Sequence, residues 1–163
     1  MQHINVEIKA RCDRLDAIRE ILQSHGAEFV GEDHQIDTYF PSPNGRFKLR
    51  EGTIERSLIF YRRPDDHGPK RSEVVRYTPK SDADLKAVLT AALGTEVVVD
   101  KRREIYYIDN VKFHLDRVKG LGSFVEIEAV GEEGETGETA LRAQCQQFLR
   151  AFGITDDELV SVS

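Results

Sequence analysis

The chain has 163 residues, a length that suits one domain with its own hydrophobic core, and we expect a single domain over residues 1–163. Charged residues make up 32% of the sequence, yet the formal net charge is -6, which argues against a general nucleic-acid-binding protein because such proteins carry a basic excess. No stretch approaches the roughly 18 apolar residues of a membrane span, and Cys12 and Cys145 lack the spacing of a zinc site or a disulfide framework. These features predict a cytoplasmic protein without a membrane segment.

The first half of the chain alternates apolar and polar side chains in short segments. In residues 4–11 the alternation is typical of a strand with one apolar and one charged face. Apolar residues at helical spacing follow over residues 15–22, and Gly26 ends this predicted helix. Further strands are predicted at 34–40, 45–51, 57–64 and 72–77.

The second half adds two helices and three strands. Ser81 and Asp84 form the S-x-x-D pattern of a helix start, and this helix is expected to bury an apolar stripe between Leu85 and Ala92. A strand at 97–108, a hairpin at 112–130 and a helix at 138–152 complete the pattern. Strands in hairpin-like succession with three amphipathic helices predict an α+β chain built on an antiparallel sheet.

Polar side chains concentrate on one face of the hairpin at 112–130. Because side chains alternate along a strand, His114 and Asp116 share one face of the first strand, and Glu126 and Glu128 share one face of the second. Clustered carboxylates suit Mg²⁺ or Mn²⁺, which prefer oxygen ligands. The alternative is an ordinary antiparallel hairpin with one solvated face, which alternates in the same way.

The same sorting of charge recurs on the other strands, where charged side chains lie opposite apolar ones. Charged residues most often form a solvated surface. The one-sided helices, however, need an apolar sheet face to cover, and if they cover the outside of a curved sheet, the charged faces converge inside a closed barrel. An ionic ligand is then needed to compensate for desolvation, and a polyphosphate carried with a divalent metal fits both signs of charge. No glycine-rich P-loop is found in the sequence.

Two motifs resemble those of a known family. The segment NVEIK, from Asn5 to Lys9, is similar to the E-x-E-x-K signature of the CYTH superfamily, the triphosphate tunnel metalloenzymes. The segment HLDRVKGLGSFVEIE, from His114 to Glu128, resembles the H-L-D-x-V-x-G-L-G-x-F-x-E-[IL]-E pattern of the class IV adenylate cyclase branch. Basic strand segments lie between the two motifs in the order that the family leads us to expect.

The resemblance implies an α+β fold, a closed antiparallel β-barrel that forms a polar tunnel, with amphipathic helices packed on the outside. It implies Mg²⁺ or Mn²⁺ as cofactor and a nucleoside or inorganic triphosphate as substrate. The implied metal ligands are Glu7, Asp116, Glu126 and Glu128, and the implied triphosphate-binding residues are Lys9, Lys48, Arg50, Arg63, Lys101 and Arg103. The implied catalytic residues are Glu7, Lys9 and Asp116, while Arg76 and His114 are candidates for orienting the substrate.

One departure from the family signature affects the expected activity. Asn5 stands where the signature has a glutamate, so an amide oxygen replaces one negative charge, and this either weakens one metal position or moves the metal towards Glu7 and the C-terminal pair of glutamates. The leading hypothesis is an adenylate cyclase that converts ATP to cyclic AMP and pyrophosphate. The alternatives are a triphosphatase acting on inorganic, thiamine or nucleoside triphosphate, and a non-catalytic module that binds polyphosphate or nucleotides. A homodimer is the default expectation for a protein of this kind.

Overall fold

Eight antiparallel strands form the core of the protein. The structure is a computed structural model, and it describes residues 2–64, 68–80, 83–131 and 137–161. The strands are β1 (Gln2–Arg11), β2 (Glu28–Phe40), β3 (Arg46–Glu51), β4 (Arg56–Arg62), β5 (Lys70–Tyr77), β6 (Val97–Ile108), β7 (Val111–Val118) and β8 (Gly122–Val130). They close into a barrel in the order β1-β5-β4-β3-β2-β6-β7-β8, which confirms the predicted fold class.

The barrel is closed by strand pairs that bring polar side chains to the inside. On β1 and β8, Glu7 pairs with Glu128 and Lys9 pairs with Glu126, while on β7 and β8 His114 pairs with Glu126. Directly paired residues point to the same side of a sheet, so these side chains face the interior together. The alternating apolar residues face outwards, which is the arrangement that the charge pattern predicts.

Two helices cover the apolar outer faces of β1, β7 and β8. Helix α1 (Leu15–Ser24) and helix α3 (Glu138–Phe152) bury their apolar stripes in one continuous core with these strands. Phe113 of β7 meets Phe148 of α3 edge-on, with ring centroids 4.8 Å apart. Cys145 is fully buried, and its thiol donates to the carbonyl oxygen of Val6, so it is packed in the core. Cys12 is also a buried free thiol.

The second helix behaves differently from the prediction. Helix α2 begins inside the described part of the chain at Ala83 and ends at Leu93, whereas Ser81 of the predicted start pattern lies outside the described residues. No residue described in α2 is buried, and Val88 is 62% exposed. The expectation of a buried stripe was therefore wrong, because apolar residues run around this helix instead of following one face. It lies beside β2 without joining the main core.

The C-terminal segment completes the sheet beside β1. Pairing between β1 and β5 ends at Glu7 and Lys70, and beyond that point Ala10 forms a bridge to Leu159 while the amide of Val160 donates to the carbonyl of Lys9 at 2.9 Å. A short 3₁₀ helix, Asp156–Glu158, precedes these contacts. Across the described residues, no helix combines the length and apolar character that a membrane crossing requires.

Candidate active site

A polar cavity lies inside the barrel and is lined by charges of both signs. The basic lining residues are Lys9, Lys48, Arg50, Arg63, Arg76, Lys101, Arg103 and Lys112. The acidic lining residues are Glu7, Glu126 and Glu128, and His114 also contributes. Every predicted site residue except Asp116 therefore lines one cavity, although the role of each stays a prediction.

Strands β3 and β6 supply a set of cations that we call the cation wall: Lys48, Arg50, Lys101 and Arg103. Three of these cations converge on one carboxylate oxygen, since Oδ2 of Asp37 accepts from Lys48 Nζ at 2.9 Å, Arg50 Nη2 at 2.9 Å and Lys101 Nζ at 3.1 Å. Asp37 has no exposed surface and does not line the cavity, so it contacts the three cations from the side that faces away from the cavity.

The electrostatics of Asp37 follow from this position. Burial acts to raise the pKa of Asp37, but Lys48, Arg50 and Lys101 together hold that pKa well below its ordinary value. The carboxylate is thus ionised, and it fixes three side chains that are predicted to bind phosphate. Burial and the neighbouring Arg103 and Arg50 hold the pKa of Lys101 well below its ordinary value. An incoming anion would favour the charged form of Lys101.

Arg103 is held from behind in the same way. Its Nε donates to Oδ1 of Asp116 and its Nη2 donates to Oδ2, both at 2.8 Å, which makes a two-pronged ion pair. Burial acts to raise the pKa of Asp116, but Arg103 lowers it to about 2. Asp116 faces the barrel interior but lies beneath Arg103, outside the cavity lining. Its expected role as a metal ligand and catalytic residue stays a prediction and would require this pair to open.

The opposite side of the cavity carries the carboxylate wall, which consists of Glu7 on β1 and Glu126 and Glu128 on β8. Glu126 accepts a hydrogen bond from Nδ1 of His114 at 2.8 Å, and Lys9 Nζ lies 3.9 Å from its other oxygen. Burial, together with the positive charge of Arg103, lowers the pKa of His114 to about 4, so the imidazole is neutral at pH 7. With its one proton on Nδ1, His114 presents Nε2 as an acceptor, and this buried atom has no hydrogen-bond partner among the described residues.

The other two carboxylates are also engaged. Glu7 forms an ion pair with Arg63, and Glu128 accepts a hydrogen bond from the side-chain amide of Asn5 at 3.1 Å. The amide oxygen of Asn5 is buried and has no hydrogen-bond partner in the described part of the chain. Each acidic side chain of the wall therefore has a protein partner that lies in or beside the cavity.

The carboxylate wall has the right chemistry for a divalent metal but is not arranged as a finished metal centre. Within residues 2–64, 68–80, 83–131 and 137–161, no group of three or more His, Cys, Asp or Glu side chains is placed to hold one ion. The oxygen donors of Glu7, Glu126 and Glu128 nevertheless fit Mg²⁺ or Mn²⁺, and the unpaired amide oxygen of Asn5 next to Glu128 offers one more neutral ligand.

Three charged residues of this interior were not predicted from the sequence: Asp37, Glu55 and Lys112. Lys112 shares a strand face with His114 and could have been found from the alternation. Asp37 also alternates inwards, but nothing in the pattern shows that one carboxylate meets three cations from two other strands. Glu55 lies in the turn between β3 and β4, where no periodic pattern exists to place it.

The fold and the cavity together define a class of protein. A closed antiparallel barrel whose interior cavity is lined by many cations, with a group of carboxylates among them, is a tunnel suited to an anionic ligand, with metal-ligating groups nearby. A family model described as the CYTH domain matches residues 3–158, and the chain belongs to this family. The resemblance seen in the two sequence motifs is thereby confirmed.

Comparisons with individual proteins agree with the family. The chain is 28% identical over 165 residues to adenylate cyclase CyaB of Aeromonas hydrophila, covering 94% of this chain and 83% of that protein. Its fold is similar to that of the PH1012 protein of Pyrococcus horikoshii OT3, with a TM-score of 0.84, 22% identity and coverage of 98% and 96% of the two chains. A Hippeastrum adenylyl cyclase candidate, described as having a dominant triphosphatase activity, matches with a TM-score of 0.58, 14% identity and coverage of 99% and 91%.

Proposed function

We propose that the protein is a metal-dependent enzyme that processes triphosphates, and that its reaction is the conversion of ATP to cyclic AMP and pyrophosphate. The observation that supports this most strongly is the pair of facing walls. Cations anchored from behind by Asp37 and Asp116 face carboxylates that can exchange their partners for a metal ion. The family relationship and the similarity to CyaB support the same assignment.

The cation wall would bind the triphosphate. Its side chains donate charge-assisted hydrogen bonds, each of which contributes roughly 1.5–3 kcal/mol to the binding of a buried anion. These side chains are Lys48, Arg50, Lys101 and Arg103. In the cyclase reaction the ribose 3′-hydroxyl attacks the α-phosphorus and pyrophosphate leaves, so negative charge accumulates on the leaving group. Cations that are already in position stabilise that charge without reorganising during the reaction.

The carboxylate wall would hold the divalent metal. Mg²⁺ or Mn²⁺, when bound by Glu7, Glu126 and Glu128, lowers the pKa of an attacking hydroxyl and neutralises phosphate charge. His114 orients Glu126 through its Nδ1–H, and Lys9 balances the charge of the same carboxylate. Arg63, which pairs with Glu7, would be placed to bind phosphate if Glu7 held the metal.

The cavity also has a surface suited to a nucleoside. Tyr39, Tyr61, Ile59 and Val74 line it beside the cations, and the ring centroids of the two tyrosines lie 5.2 and 5.5 Å from Lys48 Nζ. Aromatic and branched side chains can pack against a base. This surface favours ATP over inorganic triphosphate as the substrate.

A triphosphatase is the second candidate. It is favoured by the activity named for the Hippeastrum protein, and by the unpaired Nε2 of His114, an acceptor within the cavity that can hold an attacking water. Both reactions use the same walls and differ in the phosphorus that is attacked.

A product assay tests the proposal. Purified protein is incubated with ATP and, in parallel, with inorganic triphosphate, in the presence of Mg²⁺ or Mn²⁺. Formation of cyclic AMP and pyrophosphate is the expected result. Orthophosphate release without cyclic AMP would replace the cyclase with the triphosphatase, and tight triphosphate binding with neither product would leave a binding module.

A further inference from the structure

The turn between β3 and β4 is folded around a buried carboxylate. Asp33 accepts from the backbone amides of Thr53, Ile54 and Glu55 at 2.7, 3.0 and 2.9 Å, and from the Thr53 hydroxyl at 2.9 Å. The chain passes so close that a Cβ at Gly52 would lie 2.5 Å from Asp33 Oδ2. These contacts fix the backbone of the turn, and with it the direction in which Glu55 leaves the chain.

The carboxylate of Glu55 points into the barrel. It accepts from Gln35 Nε2 at 2.9 Å, lies 3.5 Å from Arg50 Nη1, and forms an ion pair with Lys112. Burial acts to raise the pKa of Glu55, but Lys112, His114 and Arg50 hold it well below its ordinary value. Glu55 is therefore an ionised side chain on the inside of the tunnel.

The ion pair between Glu55 and Lys112 crosses the tunnel. Lys112 lies on β7, which is separated from β3 by β2 and β6 in the barrel order. Two further pockets share Arg76 and other lining residues with the central cavity; Glu55 lines one of them, and Lys112 lines the other. The pair thus lies between these two pockets, at one edge of the central cavity.

This position sets Glu55 in competition with a bound anion. Arg50 and Lys112 both line the central cavity, and Glu55 already forms an ion pair with each of them. A phosphate that reached this end would have to displace the carboxylate or accept repulsion from it, and repulsion between like charges is strong where water is scarce.

We propose that Glu55 is a specificity-determining residue that terminates the anion-binding track of the tunnel, so that the site takes triphosphate in preference to longer polyphosphates. The inference rests on the proposed function, because it assumes that the cation wall binds a chain of phosphates. A fourth phosphate directed towards this end meets the Glu55 carboxylate instead of free cations.

Binding titrations test the inference without turnover. Wild-type protein and the variants Glu55→Gln and Glu51→Gln are titrated with inorganic triphosphate and with tetraphosphate, at fixed ionic strength in a chelator-treated buffer. Glu51 is a matched control, because it ends β3 next to the same turn but pairs with Lys86 outside the tunnel, at 3.2 Å. The expected result is that Glu55→Gln raises the affinity for tetraphosphate relative to triphosphate at least about tenfold, since one repulsive charge is removed from a buried site, whereas Glu51→Gln leaves the ratio unchanged.

The wild-type series gives a second test that needs no variant. Each added phosphate normally increases binding to a basic site, so a Glu55 barrier predicts that tetraphosphate binds no more tightly than triphosphate. Tetraphosphate binding that is tighter by a factor of about ten in wild type, or an unchanged ratio in Glu55→Gln, overturns the inference while leaving the proposed function intact. Failure of the wild type to bind triphosphate, with or without Mg²⁺, overturns both.

Discussion

The two walls of the tunnel hold their charges in different ways. On the cation wall the partners, Asp37 and Asp116, lie behind the cations and outside the cavity lining. On the carboxylate wall Glu7 and Glu126 are bound by cavity residues, including Arg63 and His114. The cation wall can therefore keep its geometry with or without a ligand, whereas the carboxylate wall must exchange partners when a metal binds. Under the proposed function, phosphate binding is therefore preorganised, and metal binding is coupled to rearrangement.

The largest expected effect comes from removing the support of the cation wall. Asp37→Asn keeps the shape of the side chain but leaves Lys48, Arg50 and Lys101 together without their shared counter-charge. Breaking a buried ion pair on one side costs about 3–5 kcal/mol, so we expect the free energy of unfolding to fall by this amount in a denaturant titration. Triphosphate should restore part of the loss, because it supplies negative charge to the same cations.

The matched control for this prediction is Asp16→Asn. Asp16 also pairs with an arginine, Arg19, at 2.6 Å, but its side chain is 88% exposed. Exposed pairs contribute at most about 1 kcal/mol. Similar small losses in both variants would show that Asp37 does not support the cation wall.

A change on the carboxylate wall should lower turnover. Glu126→Gln removes the charge of a candidate metal ligand but retains a hydrogen-bond acceptor for His114. We expect turnover to fall about a hundredfold, equivalent to roughly 2.7 kcal/mol, with a higher requirement for Mn²⁺. Steady-state rates measured over a metal titration check this, with Glu32→Gln, an exposed residue of β2, as control. Full activity at ordinary metal concentrations would remove Glu126 from the metal site.

The fold was predictable from sequence because it depends on local alternation, whereas the network behind the walls was not. The period of two along 4–11 and 112–130 identifies the inward side chains strand by strand, and the one-sided helices show which face is covered. The contacts of Asp37 depend on the register between β2, β3 and β6, which no single segment encodes. Helix α2 was predicted incorrectly for a related reason. Its sequence is rich in apolar residues, but they do not share one face, and none of its described residues is buried.

The support that His114 gives to the carboxylate wall should appear in the pH dependence of stability. The pKa of His114 in the folded protein is about 4, lowered from 6.5 by burial. The unfolded chain therefore binds more protons between these values, and stability falls as pH decreases from about 6.5 towards 4. For the metal-free protein we expect the wild type to lose about 2 kcal/mol more than His114→Gln between pH 7 and pH 5.

Denaturant titrations at the two pH values measure this difference. Parallel pH profiles for wild type and His114→Gln would show that the buried imidazole is not held neutral.

The smallest expected effect is a gain in Mn²⁺ affinity when a carboxylate is introduced at position 5. In Asn5→Glu the new carboxylate lies beside Glu128, so the metal-free protein should be slightly less stable, while Mn²⁺ should bind about tenfold more tightly, equivalent to roughly 1.4 kcal/mol. Calorimetric titration with Mn²⁺ measures the affinity. Asn5→Gln has the same side-chain length without the charge and should show no gain. If Asn5→Glu also leaves the affinity unchanged, position 5 takes no part in metal binding, and the carboxylate wall alone determines it.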